Sequence, residues 1–196
     1  MAKKNTRDLI LDVAATVFAT IGLRRTTMET IASAAGRGRR TVYMYFKNKA
    51  EIYNAVVERE IEYITIPLRD IVSSDGPWEE TLNRYATVRR EQISNLLDRN
   101  PLLLKDFSLS HYRVERLREK LYERELQIVI PFFREIADDK NINGNSEPGY
   151  LAISFLNLLR GNDRMLAFTG GKEKAAALSD MAALLIINSI RRMPGQ

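Results

Sequence analysis

The 196-residue chain has no cysteine, one histidine and one tryptophan, and each scarcity removes a class of chemistry. Without a thiol there is no disulfide framework, no thiolate nucleophile and no cysteine-ligated zinc, and the expected address is the cytoplasm. His111 has no second histidine with which to build a metal site, so no metal or other cofactor is expected. Beside Tyr112 it reads as a helix-start or packing residue. No apolar run approaches the ~18 residues of a membrane span, and Asp8 and Asp12 interrupt the apolar stretch that a secretory signal would need. No membrane partner is expected. There is no Gly-rich phosphate loop, no G-x-S-x-G and no histidine to pair with Ser154, so the chain is not expected to be an enzyme. Strand-type alternation, repeats and low-complexity tracts are missing too.

What is present is unevenly distributed. The formal charge is +5, yet residues 1–49 hold ten basic and three acidic side chains, a net +7, leaving −2 for the remainder. Positive charge confined to one quarter of a chain is the footprint of a polyanion partner, attached to a body with another task. The apolar pattern is helical almost throughout, and the expected fold class is all-α. Leu9, Ile10, Val13, Ala14, Val17, Phe18 and Ile21 recur at one-turn spacing up to Gly22. "TTMETIASAAG" predicts a two-turn helix with Thr26 and Thr27 competing as N-cap and Gly36 as the stop. A second short helix ends near Phe46. Asn48 and Glu51 then open a long helix that Pro67 is expected to stop. Further helices are predicted from Pro77 to about 98, over 101–109, from Tyr112 with a kink or stop at Pro131, and over 147–169 and 172–192. The division that follows is residues 1–48 and 49–196.

Residues 35–46, "AGRGRRTVYMYF", place arginines and glycines directly ahead of a threonine and two tyrosines. Two short helices joined by a tight turn make a helix-turn-helix. Its packing demands are met: Ala32 permits close crossing, Gly36 makes the turn, and Ile31, Ala35 and Val42 form the shared apolar contact. The second helix then presents Arg39, Arg40, Thr41, Met44 and Tyr45. Arginine can bind guanine O6 and N7 with two hydrogen bonds, and Thr41 or Met44 can meet a thymine methyl. Tyr43, Tyr45 and Lys49 are placed to reach phosphates.

The runs "ILDVAATVFATIG", "TTMETIASAAG" and "TVYMYFKNKAEIY", in this order over about 50 residues, resemble the N-terminal DNA-binding domain of the TetR family of bacterial transcriptional regulators. The resemblance implies an all-helical homodimer with three N-terminal DNA-binding helices, a linking fourth helix, and a larger body that encloses a small-molecule site and pairs through its last two helices. It implies a double-stranded DNA operator, and contacts from Thr27, Arg37, Arg39, Arg40, Thr41, Tyr43, Tyr45 and Lys49. The chain departs from the family at Arg37 and Gly38, where an aliphatic residue and a small polar residue are usual; Gly38 removes an N-cap hydroxyl.

In the body, Arg89 interrupts the apolar stripe Leu82, Tyr85, Ile93, Leu96. It reads either as an arginine snorkelling or paired with a buried carboxylate, or as a polar handle inside a pocket. The second reading places an effector among Tyr85, Arg89, Phe107, Tyr122 and Phe155, and favours an amphipathic or acidic molecule. Arg160, Asn162, Asp163 and Arg164 point to a salt bridge. The last helix offers Ala176, Ala183, Leu184, Ile187 and Ile190 as a dimer face. Together with the resemblance, these features imply a ligand-responsive DNA-binding regulator, expected to be a repressor that a small-molecule effector releases from its operator. The alternatives are a helical protein binding nucleic acid without sequence preference, and a small helical enzyme.

Overall fold

The computed structural model describes residues 5–100, 112–139, 148–168 and 170–193. Its helices are α1 (Thr6–Arg25), α2 (Met28–Ala34), α3 (Arg39–Tyr45), α4 (Lys49–Val72), α5 (Trp78–Arg99), α6 (Tyr112–Asp139), α7 (Pro148–Asn162) and α8 (Gly171–Arg191), with a 3-10 turn over Asp163–Ala167 between the last two. Among the described residues there is no strand. No helix there is long and apolar enough to cross a membrane. The expected helix over 101–109, with Phe107, and His111 lie outside the described residues.

Two apolar cores organise the chain. The smaller unites Ile10, Leu11, Ala14 and Phe18 of α1 with Met28 and Ile31 of α2, Val42 of α3 and Ile52 and Val56 of α4. The larger is formed by α4 to α8, around Tyr85, Phe133, Phe155 and Leu156. α4 belongs to both, because its later turns bury Ile61, Ile64, Leu68 and Ile71 in the second core.

Local chemistry sets the ends of these helices. Thr27 wins the N-cap of α2, accepting from the Thr30 amide at 3.1 Å, while the buried Thr26 turns its hydroxyl back to the Gly22 carbonyl at 2.8 Å. Gly22 adopts φ 80°, a conformation only glycine takes freely, and kinks α1 there. Asn48 caps α4 through the Glu51 amide at 2.9 Å, and the Glu51 carboxylate accepts from the Lys47 amide at 2.6 Å.

Pro67 does not stop α4, and α6 continues through Pro131 to Asp139. A proline inside a helix costs about 3 kcal/mol. The residues that follow each one offset this: Leu68 and Ile71 are buried beyond Pro67, and Phe132, Phe133 and Ile136 beyond Pro131, each worth about 1.5–3 kcal/mol. α7 ends earlier than periodicity suggests, because the chain tightens into the 3-10 turn that carries Asp163 inward.

α8 begins against that turn. A Cβ on Gly171 would lie 1.6 Å from the Met165 carbonyl oxygen, and backbone cannot step aside as a flexible side chain can. Gly171→Ala is therefore expected to lose about 3 kcal/mol, the upper end of overpacking. In thermal melts the midpoint should fall by roughly 6–12 °C. An unchanged midpoint would mean that α8 docks differently.

Candidate nucleic-acid interface

α2 and α3 are joined by a turn closed by three backbone hydrogen bonds. Amides of Ala35, Gly36 and Arg37 donate to the carbonyls of Ile31, Ser33 and Ala32 at 2.9, 3.1 and 3.0 Å. Gly36 sits at φ 58°, the left-handed conformation that ends helices. Behind the turn Ile31, Ala32, Ala35 and Val42 are buried, so the two helices meet through the small and branched side chains that the motif requires. Gly38 is the N-cap of α3 and offers no side-chain hydrogen bond.

With Val42 and Phe46 turned inward, the opposite side of α3 faces solvent. Arg39, Arg40, Tyr43 and Tyr45 are exposed, Thr41 is half-buried, and Met44 is 77% exposed. Arg37 and Thr27 flank this face and are exposed as well. Arg39 is committed within its own domain: it pairs with Glu29 at 2.9 Å and lies over the Tyr43 ring at 5.4 Å. Tyr43, the larger influence, and Glu29 hold its guanidinium above the ordinary value. Arg40 has no partner among the described residues. Arg7 of α1 stacks on Phe46 at 5.3 Å, a neighbour of this face not singled out from the sequence.

Lys49 differs from the expectation of a phosphate-seeking side chain. Its ammonium donates to the carbonyls of Leu23 at 2.8 Å and Thr26 at 2.6 Å, fastening the start of α4 to the end of α1. Two of its three N–H bonds are thus used in the fold. Almost three turns further along α4, Arg59 pairs with Asp12 of α1 at 2.8 Å.

In the body Arg89 is paired with buried carboxylates, one of the readings that the sequence left open. Only 3% exposed, it meets Glu125 of α6 at 2.6 and 3.2 Å and Asp163 at 2.7 and 3.1 Å. The Tyr85 hydroxyl donates to Glu125 at 3.1 Å. Desolvation of Arg89 is outweighed by attraction to Asp163 and Glu125, which keeps its pKa well above the ordinary value. The argument for an acidic effector at Arg89 is corrected accordingly: two carboxylates already engage all three guanidinium nitrogens. Phe155, fully buried, packs on Tyr85 with ring centroids 5.7 Å apart. Tyr122 lies instead under Arg160 at 5.1 Å, and Arg160 pairs with Glu119 at 3.1 Å. Glu125 was not marked from the sequence, although it interrupts the stripe Leu121 to Val129 as Arg89 interrupts its own.

The expected dimer face needs a similar correction. Ala183, Ile187 and Ile190 are buried in the chain's own core and Ala176 is half-buried; of the five, Leu184 alone is exposed. The apolar residues of α8 left in solvent are Leu178, Met181, Leu184 and Leu185, with Tyr150 and Leu158 on the adjacent α7.

A three-helix unit with a glycine turn between its second and third helices, and arginines and tyrosines on the outer side of the third, defines a helix-turn-helix DNA-binding protein. Residues 10–56 match the family described as bacterial regulatory proteins, tetR family. A 98-residue stretch is 32% identical to the uncharacterised HTH-type transcriptional regulator TtgW of Pseudomonas putida, covering 48% of this chain and 73% of that protein. Over 91 residues the chain is 34% identical to the HTH-type transcriptional repressor KstR2 of Rhodococcus jostii, covering 46% of this chain but only 45% of KstR2, less than half of its length. Among solved structures, SmeT, the repressor of the Stenotrophomonas maltophilia multidrug efflux pump SmeDEF, shares the fold with a TM-score of 0.73 at 21% identity, covering 95% of this chain and 90% of SmeT. The chain belongs to the TetR family of transcriptional regulators.

Proposed function

We propose that this regulator binds a palindromic duplex operator as a homodimer, represses transcription from it, and leaves it when a small-molecule effector occupies the body. The observation that carries this reading is the outer side of α3, where the unpartnered Arg40 and the 77% exposed Met44 stand beside Thr41 in a segment of net charge +7. Arg40, Thr41 and Met44 read base edges in the major groove. Thr27, Arg37, Arg39, Tyr43 and Tyr45 hold the backbone, with the remaining N–H of Lys49. Two such helices about 34 Å apart in a dimer would meet successive major-groove half-sites. The unit of residues 1–48, with Lys49 at the start of α4, supplies this contact, and the body of residues 49–196 supplies pairing and effector response.

Selection of bound fragments from genomic DNA tests the reading: a two-fold symmetric site should emerge. Selection without any palindrome would favour general nucleic-acid binding instead. On the selected site Arg40→Ala should lose about 1–3 kcal/mol and relax the sequence preference. Arg39→Ala should lose less, because Arg39 must first give up Glu29. Equal losses of Arg40→Ala on selected and shuffled duplexes would remove its base-reading role.

A further inference from the structure

Between the second half of α4, the loop after it and α6 lies an open groove of about 920 Å³. That is within the range of small-molecule sites, roughly 300–1,000 Å³. Its accessible apolar lining comes from the half-buried Val72, Ile128 and indole of Trp78 at the start of α5 and from the exposed Pro131, over a floor of the buried Phe132 and Ile136. Its rim is acidic. Asp75 of the loop and Glu135 and Asp139 of α6 line the groove, are exposed, and make no ion pair or hydrogen bond among the described residues. The two arginines of the lining are engaged: Arg69 with Glu62 at 2.5 Å and Thr65 at 3.3 Å, Arg124 with Glu58 at 3.7 Å. With Glu62 counted, four carboxylates face two guanidinium groups, a net charge of −2.

We propose that this groove binds an amphipathic organic cation, an aromatic or aliphatic body carrying positive charge. The apolar part covers Val72, Ile128, Pro131 and the indole of Trp78 and removes their remaining exposed area from water. The charge sits between the free carboxylates and the face of Trp78, where an indole attracts a cation. An anion of the same shape would meet carboxylates with no free arginine to answer it. This deepens the effector reading above by naming a site and a ligand class, and it reverses the charge that Arg89 suggested from sequence.

Trp78 is the only tryptophan in the chain, so its fluorescence reports on the groove without a label. The test is a titration of the whole chain, free of DNA, with tetraphenylphosphonium and with its isosteric anion tetraphenylborate in sodium buffer. The cation should change the emission saturably and the anion should not. The variant D75N/E135Q/D139N, altered only at exposed positions and so expected to fold, should bind the cation about tenfold more weakly. Equal binding of both probes, absence of cation binding, or unchanged affinity in the triple variant would each overturn the proposal. Operator release is measured separately, so failure of the effector reading and failure of the site are told apart.

Discussion

Replacing Met181 and Leu185 together by glutamate is expected to give a folded chain that sediments as a monomer and binds the operator at least roughly 10³-fold more weakly. Both residues are 51% exposed on the outward side of α8. With Leu178 they recur at three and four residues, a stripe along one helix face. The opposite stripe, Ala183, Ile187 and Ile190, already packs inside the same chain. α7 lies alongside and exposes Tyr150 and Leu158 eight residues apart, again on one face. Two neighbouring helices with outward apolar stripes can bury them against the same pair in a second copy, as in a four-helix arrangement. The glutamates would bring like charges together there without disturbing the core. In the proposed dimer, loss of pairing removes one of two half-site contacts, which is why so large an affinity change is expected from residues remote from α3. A dimeric variant, or a monomer that keeps wild-type operator affinity, would sink this account.

Arg89→Met should lower stability by about 3–5 kcal/mol, because it leaves Glu125 and Asp163 buried without their cation. The loss should depend on pH, and Glu125 gives the sign. Burial, outweighing the pull of Arg89, holds its carboxyl above the usual 4.5. A carboxyl that protonates more readily in the folded chain contributes fully below the unfolded value, and that contribution falls as pH rises through the folded value. Without Arg89 the folded pKa rises further. The variant should therefore be closest to wild type in acid and furthest from it at neutral pH and above. Denaturant midpoints across that range give the measurement, and Arg89→Met combined with Glu125→Leu and Asp163→Leu should recover most of the loss. A flat pH profile for the single variant would mean that Glu125 is not the group left stranded.

The helix-turn-helix was legible because its rules are local. Ala32, Gly36 and Val42 stand within ten residues of one another, and each is demanded by a contact that short-range spacing can express. The body was legible as helices but not as faces. α8 has two apolar stripes, and nothing in their composition says which one meets α5 and which meets solvent. Pro67 and Pro131 were expected to interrupt their helices, but distant core partners for Leu68 and Phe133 decide otherwise. Lys49 looked like a phosphate ligand by charge and position. The carbonyls that hold it lie 26 and 23 positions earlier in the chain, beyond any periodic pattern. Asp163 fell inside a charged cluster already marked for a salt bridge, whereas Glu125 looked like one more charge on a long amphipathic helix.

The double membership of α4 bears on any attempt to transplant this reading head. A junction at Asn48 follows the helix boundary, yet it severs Ile52 and Val56 from the core that positions α3. A chimera joined there would have to supply matching side chains from the recipient's own helix. One joined between Arg59 and Ile61 keeps the head's apolar packing and the Arg59–Asp12 pair, and crosses α4 where its buried residues pass from one core to the other. Helical phase at that splice then fixes how the transplanted head is turned relative to its new body, about 100° for each residue added or removed.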